Sequence, residues 1–550
     1  MVGKVLSAMN REIRGLHEAA YLLALFTFLA QVLALIRDRV FAHFFGAGVA
    51  LDAYFAAFRI PDLTFAFLTL FVSSFALIPL FERRGGVRSA ESLTMMGSVL
   101  ATFGVVSVVV SVLLFPLMPL LVATLFGGFS PEAQADTVLL SSIMLLQPII
   151  LGFSSIVASV IQSTRRFLLY ALAPVFYNVG IILGALFFYP VWGLPGLAWG
   201  VVLGALLHLV VQVLPLVGRR ELAVPRFHRA WIEDVRQVVT LSFPRALALG
   251  SNHVVLLAFA SAASLSVAGS VAVVTFGFNL QSVPLAVVGV SYASALFPSL
   301  AALFARGERE VFVKEVWAAV RHIVLWITLA VALMIVLRAH IVRVVLGSGE
   351  FTWSDTRLTA AVLAGFVISL VAQAVMLIFS RAYYAAGRSK EPIVVNGLAA
   401  LCASVFAYGA FLWFQGATVA RFFIEDLFRI GDIPGTEVVA LALAYSGVMV
   451  VAALVFACLF ARRFGFEARV LKSVLFSFAA SVIAGAATYG TLQLFGPLLP
   501  TETFFGIFAQ GVAGGVVGIL AWAATLSVVK NQEFAEVLAV WSRLVRRGTV

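Results

Sequence analysis

Long apolar stretches, each wide enough to cross a bilayer, follow one another along this chain with little between them. That feature removes most of the folds open to 550 residues. A spanning helix needs about 20 predominantly apolar residues. Windows of that kind lie near 21–45, 52–80, 93–126, 137–163, 168–189, 194–217, 235–262, 268–303, 315–346, 357–386, 392–414, 437–461, 471–495 and 504–529. In lipid only helices and closed barrels satisfy their own backbone, and the runs lack the apolar-polar alternation of barrel strands. The expected fold class is therefore all-α, a polytopic membrane protein of about 14 transmembrane helices. Composition agrees, since only 11% of residues are charged against about 25% in soluble chains.

Lys and Arg accumulate in cytoplasmic loops, and here every second loop is basic. Lys4, Arg11 and Arg14 precede the first span, Arg83, Arg84 and Arg88 follow the second, Arg165 and Arg166 the fourth, and Arg219, Arg220, Arg226 and Arg229 the sixth. The alternate loops, such as 127–136 and 347–355, are neutral or acidic. Both termini are thus expected on the cytoplasmic side of the membrane. The net charge of +11 is spent in these loops beside anionic lipid headgroups, and no compact basic domain is left to bind nucleic acid. The first twenty residues are too polar for a signal peptide. Cys402 and Cys458 fall in apolar runs and read as packing residues. No HExxH, GxSxG or Walker motif occurs, so neither an enzyme nor an ATP-driven pump is expected, and no cofactor or metal. Energy must come from an ion gradient, the membrane potential or the substrate gradient.

Related features recur at a shared offset. Pro79 answers to Pro298, and Pro174 with Asn178 answers to Pro392 with Asn396, each about 219 positions later. Six spans fit in each repeat, so both halves enter the membrane in one direction and are related by a pseudo-two-fold along its normal. The expected domains are a six-helix lobe at 1–222, a second at 223–465, two additional transmembrane helices at 466–529 and a cytoplasmic amphipathic tail at 530–550. Pro61, Pro116, Pro119, Pro148, Pro244 and Pro284 mark expected bends. The connection beginning ATVARFFIEDLF at 417–428 reads as an interfacial helix.

Function is sought where charge enters an apolar run, because such residues usually face a bundle interior or aqueous path. The stretch from Gln31 to Arg84 carries Arg37, Asp38 and Arg39 in one span and Asp52 and Arg59 in the next. Arg37 and Asp38 point about 100° apart on a helix, so only one should face a given partner. A guanidinium there suits phosphate; the structural alternative is snorkelling to the headgroups. Asp52 is placed to cap its own helix. Arg59 needs an anion, either Asp38, Asp52 or substrate. Asn178, Asn252, His253, Asn279, Gln281 and Asn396 read first as interhelical glue, with His253 open to a proton-shuttling role.

The same stretch resembles the MurJ/MviN family of lipid II flippases at RDRV, FGAG, DAYF, AFRIP and SSFALIPLF. Later pieces at 162–178, 193–212, 242–254, 279–300 and 348–363 continue the likeness in order, and it fades after about 400. The resemblance implies the fold of the multidrug/oligosaccharidyl-lipid/polysaccharide exporter superfamily and a function in peptidoglycan biosynthesis and cell shape. Lipid II, a polyprenyl diphosphate-linked saccharide, would pass from the cytoplasmic to the outer leaflet by alternating access, and the two extra helices would form a groove for the polyprenyl tail. A monomer bathed in membrane lipids is expected. Carried over to this chain, the substrate-binding set is Arg37, Asp38, Asp52 and Arg59, with Gln31 and Asn279 standing where the family has arginines. A further family arginine falls at Phe65 and Ala66, and the family's Glu-Gly at Leu70 and Phe71. Asn396 matches one residue of a sodium site, but Ala400 supplies no ligand. These departures leave two alternatives open: export of another polyprenyl-linked glycan or amphiphile, or a non-transporting scaffold that retains the fold.

Overall fold

The computed structural model describes residues 16–219, 221–496 and 503–547. Lys4, Arg11, Arg14 and Arg220 lie outside them. Thirteen helices among the described residues are long and apolar enough to cross a membrane. They coincide with thirteen of the expected windows, and the remaining window lies in the 30-residue helix Leu16–Phe45.

Proline decides where two of the spans break. A proline ring clashes with the carbonyl four residues earlier. Accordingly Val49–Ala57 stops four residues before Pro61, and Pro131–Met144 stops four residues before Pro148. Pro284 is followed by a π-helical turn at Leu285–Val290. Pro116 and Pro119 sit inside a continuous helix, as does Pro244. The repeated Pro-x-x-x-Asn pieces share one local device, because the Asn178 amide donates to the Pro174 carbonyl at 3.0 Å and the Asn396 amide to the Pro392 carbonyl at 2.7 Å.

The chain divides into two compact units, Met1–Ala272 and Val273–Val550. In the first, Phe167–Leu183 and Leu194–Val213 pack along a seam in which a Cβ on Gly184 or Gly200 would strike the opposite backbone. Small residues permit this close approach where lipid supplies no hydrophobic drive between helices. Leu16–Phe45 lies against Phe167–Leu183, which brings Arg37 to Asn178. The helix Trp231–Ala263 packs along Arg59–Val72 and so belongs to this unit.

The connection at 217–230 is strapped to the same unit by ions and backbone. Glu221 accepts from Arg166 at 2.6 and 2.9 Å and also pairs with Arg88. Asp234 pairs with Arg84 at 2.8 Å, and the Arg226 N–H donates to the Gly97 carbonyl at 3.1 Å. A side chain at Gly97 would sit 2.8 Å from the Val224 carbonyl, so glycine is what lets the strap lie flat. Burial would push the Glu221 carboxyl up, but the hydrogen bonds from Arg166 and Arg88 more than offset it and hold the group below the usual carboxylate range.

In the second unit, Arg309–Val336 packs on Arg469–Phe495, which packs in turn on Phe504–Val528. Leu325, Ala480, Ala484, Trp522 and Leu526 form their shared core. The tail helix Gln532–Arg547 begins against this core through Phe534, with Arg321 bound to Glu533 at 2.8 Å and His322 to Glu536 at 3.0 Å. Its first turns are therefore docked on protein. The helix Thr418–Phe428 buries none of its residues and leaves Val419, Phe422, Phe423 and Leu427 exposed, the face an interfacial helix offers to lipid.

Gly269 is held by two constraints at once. Its φ of +91° is disfavoured for L side chains, and a Cβ would collide with the Ala47 carbonyl. Gly269→Val is expected to destabilise the protein by about 3 kcal/mol or more, combining strain at a left-handed φ with overpacking, read as a lower thermal midpoint of the detergent-solubilised protein. An unchanged midpoint would refute the close approach.

Candidate functional site

Arg37 does not turn outward. Its Nε and Nη2 donate to Asp38 Oδ1 at 3.0 and 2.7 Å, and its Nη1 to Asn178 Oδ1 at 3.2 Å. The side chain of Arg37 is 20% exposed and that of Asp38 4%. The flexible arginine stem curls back over the next residue, so that Arg37 and Asp38 meet each other, a contact the expectation of divergent directions did not include.

Asp52 is also corrected, in partner though not in kind. It caps no N–H of its own helix; instead its oxygens accept from the Gly269 N–H at 2.6 Å and the Ala272 N–H at 2.8 Å. Those are the free donors at the start of the helix Ser270–Pro284. The buried carboxylate is a structural staple between the first hairpin and residue 272.

Arg59 is 9% exposed, and a carboxylate that the sequence reading did not name stands near it. Asp62, one turn along the same helix, is the carboxylate within electrostatic reach of it. Asp62 also accepts from Gln147 Nε2 at 3.3 Å and faces His253, presented from Trp231–Ala263. Tyr54 and Tyr177 lie within the electrostatic reach of both Arg37 and Asp62 and join the two halves of the cluster. The Tyr54 hydroxyl is buried without a hydrogen-bond partner among the described residues. Sequence reasoning passed over Asp62, Gln147, Tyr54 and Tyr177. The i, i+3 spacing of Arg59 and Asp62 was the available signal, since residues three apart share a helix face.

The remaining expected site residues are Gln31 and Asn279. Gln31 is half-buried on Leu16–Phe45, nearly two turns before Arg37. Asn279 lies in the second unit, where its carbonyl accepts from Ser282 Oγ at 2.7 Å. Also in that unit, Gln373 donates to Gln281 at 3.3 Å, the bridging role expected of amides inside spans. Among the described residues no group of His, Cys, Asp and Glu is arranged to hold a metal ion.

Two guanidiniums, two carboxylates, an imidazole and two phenols thus gather between apolar helices. The protein-family model described as lipid II flippase MurJ matches residues 41–509. A probable lipid II flippase MurJ of Buchnera aphidicola is 27% identical over 415 residues, covering 72% of this chain and 78% of its own. One from Bdellovibrio bacteriovorus is 29% identical, covering 70% and 76%. Among solved structures, a lipid II flippase MurJ in an inward closed conformation superposes with a TM-score of 0.73 at 20% identity, over 93% of this chain and all of the other. An inward-facing MATE-family multidrug transporter of the MOP superfamily gives 0.63 at 18% identity, over 82% and 99%. These two structures speak for the fold.

Proposed function

The chain belongs to the lipid II flippase MurJ family, and on that premise we propose that it moves lipid II, a lipid-linked peptidoglycan precursor, from the cytoplasmic to the outer leaflet by alternating access. The two repeats, 1–222 and 223–465, would rock about the substrate while 466–529 accompanies the polyprenyl tail. The protein would work as a monomer in the bacterial inner membrane with both termini cytoplasmic.

One observation carries this reading above all. Arg37 and Arg59 are both turned into a polar cluster within apolar helices, and a cation inside such a run is costly unless it serves a path or a partner. A guanidinium is the side chain best matched to a phosphate oxygen pair. In this scheme Arg37, Asp38, Arg59 and the Tyr54 hydroxyl meet the headgroup, Asp52 holds the hairpin in place, and Gln31 and Asn279 line its route.

Rescue of a bacterium depleted of its own flippase, read by the accessibility of lipid II in the outer leaflet, tests the proposal. The full chain should restore accessibility. Arg37→Ala should lower it by about tenfold or more, the equivalent of losing one charge-assisted hydrogen bond. Rescue undiminished by that change would remove Arg37 from the site.

A second reading has an observation of its own. The positive and negative side chains of the cluster balance, which suits a less anionic amphiphile or another polyprenyl-linked glycan. Normal membrane insertion without rescue would favour it.

A further inference from the structure

The charges gathered around the first hairpin cancel. Arg37 and Arg59 are opposed by Asp38 and Asp62, and with His253 neutral the cluster offers no net attraction to an anion. Yet the proposed substrate bears a diphosphate, and an anion moved out of water needs a compensating charge. The deficit can be met from within the cluster, because one of its members, His253, carries an imidazole, a side chain able to take up a proton.

Its placement is specific. The helix Trp231–Ala263 lies along Arg59–Val72 and presents the imidazole to Asp62, the carboxylate that also holds Gln147. Neither His253 nor Asp62 is sealed in the core; both are half-buried. The groups facing the pair are Arg59 from the same helix as Asp62, Tyr54 from Val49–Ala57, and Tyr177 from Phe167–Leu183. Arg37 and Asp38, from Leu16–Phe45, follow behind the tyrosines. Asp62 attracts an imidazolium and Arg59 repels it. Ionisable side chains at such depth are the usual stuff of proton paths.

We propose that His253 and Asp62 form a proton-binding site whose occupancy gives the cluster the positive charge a diphosphate headgroup requires, so that proton uptake and substrate binding are coupled. The inference rests on the reading of a diphosphate-bearing substrate. A proton from the aqueous phase binds an imidazole nitrogen, the net charge rises by one, and the anion then enters a cationic site. Coupling of this kind is reciprocal: bound substrate must hold the proton in place as firmly as the proton holds the substrate. Release of the headgroup lets the proton go.

The test is binding of a synthetic polyprenyl diphosphate sugar to the full chain in lipid nanodiscs from about pH 5.5 to about pH 8.5, a range that brackets an ordinary imidazole. Both phosphates of that probe are esterified, so its own charge stays constant. Wild-type affinity should fall with rising pH, by at most about tenfold per pH unit for one linked proton. His253→Gln should bind weakly with no such slope. Asp62→Asn, which removes a negative charge permanently, should bind at high pH about as tightly as wild type does at low pH, and its binding would itself report a folded protein. A flat wild-type profile, a slope that survives His253→Gln, or an Asp62→Asn variant no tighter than wild type at high pH overturns the proton site while leaving the diphosphate reading intact. Failure of the wild type to bind at any pH overturns both.

Discussion

Replacing Glu221 with alanine is expected to cost about 3–5 kcal/mol, the penalty for breaking a buried ion pair and leaving its partner uncompensated. The Arg166 and Glu221 side chains are only 1% and 2% exposed, so the orphaned guanidinium could not readily reach water. Arg88, which is mostly exposed, would simply turn to solvent. The measurement is the thermal midpoint of the detergent-solubilised protein, together with protease cleavage in the connection at 217–230, which should become accessible once the strap lifts. Arg166→Met combined with Glu221→Leu should recover most of the loss, since an apolar pair of similar volume avoids the desolvation penalty. The pH dependence has a definite sign. Arg166 and Arg88 hold the folded carboxyl below its ordinary value near 4.5, so its stabilisation is fully present above that value and is lost as the pH falls through the lower folded one. Wild-type stability should therefore drop in acid below about pH 4.5 more steeply than that of the Met/Leu double variant. A Glu221→Ala protein that melts with the wild type would mean the strap bears no load.

Much of this architecture was legible because hydropathy is a one-dimensional signal. A run of apolar residues bounded by arginines states its own span, and two prolines state a break four residues upstream, at Ala57 and Met144, while Pro116, Pro119 and Pro244 leave their helices continuous. Side-chain partners are three-dimensional, and there the sequence was a poorer guide. Nothing in the local pattern around Asp52 reveals that its carboxylate serves N–H groups 217 and 220 residues further on, because capping rules look only to the adjoining turn. Arg59 was readable as a cation inside an apolar run, but a long stem reaches several candidate anions, and Asp62, three residues on, was not among those considered. For Arg37 the sequence left facing a phosphate or snorkelling to headgroups both open. Its closure on Asp38 escaped because backbone direction was taken for the direction of a flexible guanidinium. Both misses lead to the same consequence. A site read from isolated arginines looks cationic, while the site assembled with its carboxylates does not.

That balance can be separated from folding by a pair of variants. Arg59→Met is expected to destabilise the protein by about 3 kcal/mol, the lower end of the range for a broken buried pair, because Asp62 keeps Gln147 and His253 as company. It should also abolish rescue of a flippase-depleted strain. Arg59→Met with Asp62→Leu removes both charges, and stability should return to within about 1 kcal/mol of wild type, as apolar replacement of a buried pair is commonly neutral. If Arg59 serves only to neutralise Asp62, rescue should return with stability. If it meets a phosphate, rescue should stay absent in a protein that inserts and melts normally, since a methyl thioether cannot supply the paired N–H donors of a guanidinium. The split between a recovered thermal midpoint and an unrecovered leaflet signal is the result expected here. A double variant that transports as well as wild type would assign Arg59 to the scaffold and leave Arg37 as the headgroup's principal cation.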